Sequence, residues 1–299
     1  MVSRRRSIVG FLVVVVISAA VFWFFAQEQA SQPVSLPEQA VETPAAPEVI
    51  EVPLIVSPYA DYKKIIDDLY QNVSGYRISE EEKHVVRNEG GDPTYGEILY
   101  ESAQKLLDDV ALTREDVFYD LGSGAGKFVT QVYLTTPAKK AVGIELCKTR
   151  CEMAQERADK IRKIAELSSR CAYEIGDVIA GVETKNILKI VDSKTIEFNN
   201  ENILKADLSD ASVVFMCSTC FSDELMQKIV DRLADLQEGL RVLTLKDLPP
   251  HEHFKLVRQY QLPMSWSKSS PGSPVYLYKL EKSLHTSTPL SMSESEMEK

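Results

Sequence analysis

The sequence has 299 residues, with 34 Lys and Arg against 44 Asp and Glu, so its formal net charge is −10. Hydrophobic residues make up 44% and charged residues 26%, which excludes a collagen-like or wholly disordered chain. The acidic balance argues against strong direct binding to nucleic acid, which needs clustered Lys and Arg, and five Cys without regular spacing are typical of reduced thiols.

The first zone, residues 1–26, is predicted to be a transmembrane anchor. Three arginines precede Ile8–Ala26, a stretch without any charged residue that is long enough to cross a bilayer core of ~30 Å as a helix. A cleaved signal peptide is the alternative, although its apolar region usually spans only ~7–15 residues, and an Arg-rich start also fits mitochondrial import. The arginines predict a cytosolic N-terminus, whereas the thiols favour a domain that faces the cytosol, nucleoplasm or mitochondrial matrix.

Three further zones follow the apolar segment. Residues 27–58 contain six Pro, five Glu and no Lys or Arg, which predicts an extended linker. Residues 59–283 are predicted to form the folded domain, which is mildly acidic, with 30 Lys and Arg against 36 Asp and Glu. Residues 284–299 hold six Ser or Thr and three Glu and are predicted to be a disordered tail.

The folded zone alternates strands with helices after an N-terminal helical extension at 59–73 and 98–107. The predicted strands are Val117–Asp120, Ala141–Glu145, Cys171–Ile175, Ser212–Met216 and Arg241–Leu245. Helices are predicted around 131–133 and 153–165 and at Glu224–Gln237, before Gly239. Val275–Lys279 alternates like a late antiparallel strand at the sheet edge. This order predicts an α/β fold with a mostly parallel, Rossmann-like sheet and helices on both faces.

The turn after the first strand carries the strongest chemical signal. Asp120 is followed by Gly122, Gly124 and Gly126, and such glycines allow a ligand to approach the backbone at a helix N-terminus. Dinucleotide-binding proteins have a similar turn. Asp120 would repel a pyrophosphate but attract the ammonium and sulfonium of S-adenosylmethionine, so the sequence favours that cofactor.

Two more acids follow predicted strands. Glu145 comes 25 residues after Asp120 and is suited to bind both ribose hydroxyls. Asp177 is predicted to accept a hydrogen bond from the adenine amino group. A strand end often carries a solvated acid, but three acids at successive strand ends predict a nucleoside site.

The chain resembles the disruptor-of-telomeric-silencing (Dot-type) family of histone H3 lysine methyltransferases, which have a class I methyltransferase fold. The resemblance covers about residues 90–282. The matching segments are Pro93–Leu107 with its YGE core, Asp116–Val132, Val142–Glu145, Gly176–Asp177, Ala211–Lys246, Ser265–Trp266 and Ser273–Leu280. The DLGSG turn is common to many methyltransferases, whereas the YGE core and the SW and PV residues near the end are more discriminating.

The resemblance implies roles for individual residues. It implies that Tyr95 and Glu97 bind the cofactor, and that Cys217 and Ser218 stand where the family usually has two asparagines that face the methyl donor. Candidates for an aromatic channel around a target lysine are Phe221, Trp266, Tyr276 and Tyr278. For Tyr276 and Tyr278, packing in the edge of the sheet is an equal alternative. No metal site is predicted, because the CxxC and CxxxC spacings lack nearby His pairs.

The predicted function is S-adenosylmethionine-dependent methylation of a protein lysine, with histone H3 as a candidate substrate. One alternative is a membrane-anchored methyltransferase of non-histone proteins, which the apolar N-terminus and acidic domain favour. The other is a protein that binds the cofactor without catalysis, which the replacement of two asparagines by Cys217 and Ser218 motivates.

Overall fold

The computed structural model of the protein describes residues 62–176, 194–269 and 271–282. The predicted anchor, linker and tail lie outside these residues, and so does Asp177. Among the residues described, none of the helices has the length and apolar character needed to cross a bilayer.

Three helices precede the sheet: α1 (Tyr62–Leu69), α2 (Glu80–Asn88) and α3 (Tyr100–Val110). Helices α1 and α3 lie within or across the segments predicted at 59–73 and 98–107. Helix α2 is not among the predicted helices, because it is mostly polar and buries only Val86. Its start is fixed by an N-cap, in which the Ser79 hydroxyl accepts the N–H of Glu82 at 3.1 Å.

The remaining elements follow the predicted alternation. In chain order they are β1 (Val117–Leu121), α4 (Lys127–Thr135), β2 (Lys140–Glu145), α5 (Lys148–Gly176), β3 (Thr195–Asn200), β4 (Val213–Met216), a 3₁₀ turn (Ser218–Cys220), α6 (Asp223–Ala234), β5 (Arg241–Thr244), β6 (Phe254–Leu262) and β7 (Ser273–Leu280). The strands form one sheet in the order β3-β2-β1-β4-β5-β7-β6. Strands β1 to β5 are parallel, as predicted, and β7 runs antiparallel to both of its neighbours.

The predicted third strand at Cys171–Ile175 is wrong, because this segment belongs to helix α5, which continues to Gly176. A run of five mostly apolar residues is too short for its periodicity to distinguish a strand from a segment of buried helix. The third strand is Thr195–Asn200, which pairs in parallel with β2. The acid predicted at the end of the third strand, Asp177, therefore does not follow that strand.

The late strand is antiparallel, as predicted, but it lies between β5 and β6 and not at the edge. The strand at this edge of the sheet is β6, which the sequence analysis does not predict. Its five consecutive residues from Lys255 to Gln259 are exposed, and its pairing shifts register between Leu256 and Arg258. A strand with a bulge and one open edge loses the simple alternation on which strand prediction depends.

The sheet separates two hydrophobic clusters. Phe118 of β1 belongs to the cluster beneath α1, α3, α4 and α5, whereas its neighbours Val117 and Tyr119 belong to the cluster beneath α6. This division follows from the period of two in a strand. Strand order reverses between β1 and β4, and in open α/β sheets ligands bind at the carboxyl ends of the strands beside such a reversal.

Candidate active site

A cavity of about 390 Å³ lies at the carboxyl ends of β1, β2 and β4. Its lining includes residues from the glycine turn, from the end of β2, from the loop after α2 and from the 3₁₀ turn after β4. Predicted site residues in the lining are Tyr95, Gly122, Gly124, Glu145, Cys217 and Phe221. The fold therefore brings together segments that are about 120 residues apart in the sequence.

The glycine turn is held against β2 by backbone hydrogen bonds. The N–H groups of Gly122 and Ser123 both donate to the Ile144 carbonyl, at 2.8 and 3.0 Å. Gly124 has a φ of +56°, and a Cβ on this residue would overlap the ring of Tyr95. Glycine is required here both by the left-handed backbone and by the close contact with that ring.

Glu145 is fixed by the backbone that it faces. Its Oε2 accepts the N–H of Gly124 at 2.7 Å, and its Oε1 accepts the N–H of Cys147 at 2.8 Å. The residue is 6% exposed, and burial raises its pKa, an effect that these two hydrogen bonds and Arg150 oppose. Each carboxylate oxygen has two lone pairs, so both oxygens can accept another hydrogen bond from a ligand in the cavity.

Asp120 is the most poorly compensated polar group near the cavity. It is 3% exposed, and its Oδ1 has no hydrogen-bond partner in the described part of the chain. Burial, and then the charge of Glu145, raise the pKa of Asp120 well above its ordinary value. A buried carboxylate without a partner is costly, so this position favours a cationic group from a ligand.

Tyr95 and Arg150 form one side of the cavity. The Tyr95 hydroxyl donates to Glu97 Oε1 at 2.7 Å, and the Arg150 guanidinium lies 4.8 Å from the centre of the Tyr95 ring. Arg150 is 4% exposed and donates to the carbonyls of Gly75 at 2.9 Å and Pro93 at 2.6 Å. It therefore ties two loops to the start of α5.

The two discriminating sequence segments, YGE and SW, contact each other. The N–H of Glu97 donates to Ser265 Oγ at 2.9 Å, and the N–H of Ser265 donates to the Glu97 carbonyl at 2.9 Å. A Cβ on Gly96 would overlap the Trp266 indole, so the ring lies directly on the glycine. Trp266 lines the cavity and is 45% exposed, which places an aromatic ring at the cavity rim.

The opposite wall is formed by Cys217, Thr219, Cys220 and Phe221. The Phe221 ring lies 3.5 Å from the position that a Cβ on Gly122 would occupy. Burial, and then the charge of Asp120, raise the pKa of the Cys217 thiol to about 12. Cys217 is therefore a neutral thiol near pH 7.

Several predicted site residues do not line the cavity. Ser218 is fully buried, and its hydroxyl bonds with Thr244 Oγ1 at 2.7 Å and accepts the N–H of Lys246 at 2.9 Å. The Tyr278 hydroxyl donates to Asp247, and the ring of Tyr276 packs against the cluster beneath α6. This packing corresponds to the alternative given for the two tyrosines.

Other predicted residues support the lining from behind. Glu97 holds the Tyr95 hydroxyl, and Gly126 is the N-cap of helix α4, with a φ of +84° and a close contact with Phe198. Asp120 is a buried residue of β1, two positions before Gly122, and it does not line the cavity itself. Asp177 lies outside the described residues, and its contact with adenine stays a prediction.

Sequence reasoning missed the first part of the loop after α2, at 89–92, and the loop after β3, which both contribute to the lining. Here Asn202 donates to the carbonyl of Glu89 at 3.3 Å and to its carboxylate at 3.1 Å. The glycine pair at Gly90 and Gly91 was the available signal for a loop beside the cavity. No sequence pattern points to Arg150, because it acts by binding two backbone carbonyls that are distant from it in the sequence. In the described ranges, no group of three or more His, Cys, Asp or Glu could hold a metal ion.

Fold and site together define a class I methyltransferase-like protein, with a glycine turn after β1 and a buried acid at the end of β2. Residues 83–261 match the model of the family described as histone methylation protein DOT1, and the chain belongs to this family. The resemblance predicted from the sequence is confirmed.

Curated relatives carry the name histone-lysine N-methyltransferase, H3 lysine-79 specific. The protein of Drosophila melanogaster is 31% identical over 52% of this chain, and that of Caenorhabditis elegans is 31% identical over 52%. The protein of Emericella nidulans is 24% identical over 68% of this chain. The chain matches only 8%, 15% and 36% of the length of these three relatives.

Solved methyltransferases were also found. An RNA methyltransferase from Salinibacter ruber, in complex with S-adenosyl-L-homocysteine, is 21% identical, with a TM-score of 0.42 over 62% of this chain and 94% of its own. A geranyl diphosphate C-methyltransferase from Streptomyces coelicolor is 12% identical, with a TM-score of 0.43 over 68% of this chain and 99% of its own.

Proposed function

We propose that this chain is an S-adenosylmethionine-dependent protein-lysine N-methyltransferase whose substrate is a lysine of histone H3. The observation that carries the proposal is the pair of buried carboxylates, Asp120 and Glu145, around the cavity of a DOT1-family chain. The names of the relatives support histone H3 as the substrate.

The residues of the cavity fit the cofactor. Asp120 Oδ1 would receive the positively charged amino group of the methionine part, and Glu145 would accept the ribose hydroxyls. The N-terminus of α4 at Lys127 would favour the methionine carboxylate. When bound, S-adenosylmethionine supplies an electrophilic methyl group on a sulfonium.

The residues of the chain then act by positioning and by excluding water. Phe221 and Trp266 give the cavity apolar walls, which lower the pKa of a lysine ammonium placed between them and so favour the neutral amine. Tyr95 is held by Glu97 and Arg150, so its ring is fixed before a ligand arrives. Positioning of this kind is worth up to ~7–11 kcal/mol of a reaction barrier.

A second candidate is a protein that binds the cofactor without transferring a methyl group. It is favoured by the position of Ser218, whose hydroxyl is bound by Thr244 and Lys246 and does not face the cavity. Cys217 offers a neutral thiol where an amide is usual in the family. These two residues leave the region beside the methyl donor without a strong polar group from this turn.

One experiment separates these possibilities. The full chain is incubated with radiolabelled S-adenosylmethionine and with histone octamers, nucleosomes or a membrane-protein extract, and Asp120→Ala serves as the matched control. The proposal requires label on histone H3 from the wild type and at least tenfold less from the control. Label on the extract alone identifies a non-histone methyltransferase. Calorimetric binding of the cofactor without any label identifies the non-catalytic protein.

The proposal includes a location. The protein is anchored in a membrane through Ile8–Ala26, and the domain faces the cytosol, nucleoplasm or mitochondrial matrix. The length of the uncharged stretch supports the anchor. The irregular spacing of the five cysteines supports a reducing compartment.

A further inference from the structure

Two thiols line the same wall of the cavity. Cys217 follows the last residue of β4 and is half-buried, and Cys220 ends the 3₁₀ turn and is exposed. Both are free thiols. Neither has a role in the proposed methyl transfer that requires sulfur.

A short 3₁₀ turn joins the two cysteines. Cys217 is the N-cap of the 3₁₀ turn and Cys220 is its last residue, so the two cysteines are three positions apart. The charge of Cys220 contributes to the raised pKa of the Cys217 thiol, so the two side chains interact. Disulfides span Cα distances of about 4.4–6.8 Å. The turn is closed by the N–H of Phe221, which donates to the Ser218 carbonyl at 2.9 Å. The turn therefore holds the two cysteines close together in the chain and in one wall of the cavity.

The two thiols differ in access. Cys220 is exposed and can meet a small reagent in solution, whereas burial raises the pKa of Cys217 to about 12 and keeps it protonated. Cys220 is therefore the thiol that reacts first with a reagent, and Cys217, three residues away, resolves the mixed disulfide once it has lost its proton. In contrast, Cys147 and Cys151 are each 1% exposed within α5, and burial raises the pKa of both to about 11.

We propose that Cys217 and Cys220 form a dithiol modification site, which a low-molecular-weight disulfide such as glutathione disulfide converts into an intrachain disulfide that weakens cofactor binding. The Cys220 thiolate attacks one sulfur of the reagent, forms a mixed disulfide and releases one thiolate. Cys217 then loses its proton and attacks the Cys220 sulfur, which releases the second thiolate. Two protein thiols are oxidised, and one disulfide is reduced to two thiols.

The bond would change the cavity because both sulfurs belong to its wall. A volume of about 390 Å³ lies near the lower end of the ~300–1,000 Å³ that is usual for ligand pockets, so it leaves little spare room. Joining the sulfurs draws the wall together beside Phe221, whose ring packs on the glycine turn. By linkage, a bound cofactor then protects the dithiol from oxidation. The effect on binding rests on the proposed function, whereas the thiol chemistry does not.

The test uses the full chain, reduced or treated with glutathione disulfide. Trypsin releases residues 206–228 as one peptide that contains Cys217, Cys220 and no other cysteine. We expect this peptide to lose two hydrogens after treatment. We also expect the calorimetric Kd for S-adenosylhomocysteine to rise at least tenfold, and saturating S-adenosylhomocysteine to slow the loss of hydrogens.

Two variants serve as controls, each compared before and after treatment. Cys220→Ser should show neither the loss of two hydrogens nor a change in Kd, whereas Cys151→Ala should retain both effects. An intact dithiol in the treated wild type would overturn the proposal, and a disulfide without a change in Kd would overturn its effect on binding. A reduced wild type that does not bind S-adenosylhomocysteine would refute the proposed function, while the peptide masses still report on the dithiol.

Discussion

Asp120 shows how a single residue reveals a ligand site. Its carboxylate is buried beside a second carboxylate, Glu145, and its Oδ1 finds no partner in the described part of the chain. Such a group destabilises the protein without its ligand and is therefore expected where binding offsets the cost. Because Asp120 is buried without a partner, its effect can also be measured through the stability of the protein, without an activity assay.

Asp120→Asn should alter the pH dependence of stability. The pKa of Asp120 is raised in the folded state above its ordinary value of 3.8, so the folded protein binds more protons than the unfolded chain. The resulting stabilisation is complete below about pH 3.8 and is lost as pH rises through the folded pKa. Urea denaturation should show that the free energy of unfolding, wild type minus variant, falls as pH rises from 4. The exposed Asp231→Asn serves as the control for the substitution itself, and a flat difference for Asp120→Asn would contradict this account.

Glu145→Gln should weaken cofactor binding while the fold is kept. Two backbone N–H groups, of Gly124 and Cys147, point at the carboxylate, and a glutamine amide nitrogen can accept from neither. The amide nitrogen also cannot accept a ribose hydroxyl, and loss of one charged hydrogen bond to the ligand costs about 1.5–3 kcal/mol, or roughly 10- to 150-fold in affinity. Calorimetry with S-adenosylhomocysteine measures this change, with the exposed Glu115→Gln as control. Wild-type affinity in the variant would reduce Glu145 to a structural residue.

The sequence predicts best the strands that a short stretch of sequence is enough to identify. The strands β1, β2, β4 and β5 are short buried runs between turn signals, and their bounds agree with the prediction within about one residue. Helix α5 was predicted too short, and the apolar residues near its end, at 171–175, were misinterpreted as a strand. Strand β6 was missed because a bulge interrupts it, so its buried and exposed residues do not alternate.

The candidate site divides in the same way. The glycine turn and Glu145 could be predicted, because both lie at strand ends that a local pattern identifies. The resemblance to a family added Tyr95, Cys217 and Phe221, which line the cavity. The position of Ser218 inside the fold and the clamp made by Arg150 depend on contacts between distant segments, and no local pattern reports these.

Arg150 is expected to position the loop that carries Tyr95. Its guanidinium binds the carbonyls of Gly75 and Pro93 together, a geometry that one lysine ammonium does not reproduce. Arg150→Lys should therefore raise the KM for S-adenosylmethionine several-fold with little change in kcat, and it should speed amide hydrogen exchange in residues 91–97.

The exposed Arg87→Lys on α2 is the matched control and should change neither quantity. A fall in kcat without a change in KM would contradict the positioning role. An unchanged exchange rate in residues 91–97 would show that the loop is held by other contacts.

At the scale of the whole molecule, a predicted anchor is joined to the domain by a linker of 32 residues at 27–58. Its six prolines favour an extended chain of about 3.1 Å per residue, so a linker of this length would let the domain lie up to roughly 100 Å from the membrane. We expect the full chain to resist alkaline carbonate extraction and residues 59–299 to be recovered in the soluble fraction. Soluble full-length protein with a shortened N-terminus would instead show a cleaved targeting signal.

The side of the membrane on which the domain lies can be read from the domain itself. Asn72, Val73 and Ser74 form a glycosylation sequon, and Asn72 is exposed just after α1, so a lumenal domain offers this site to the glycosylation machinery. Because the proposed location is a reducing compartment, glycosidase treatment should leave the gel mobility of the full chain unchanged. The control is Ser74→Ala, which removes the sequon and spares Asn72, whose φ of 65° a bulkier residue adopts with strain. A mobility shift in the wild type that Ser74→Ala abolishes would place the domain in the secretory lumen and exclude nuclear histones as its substrate.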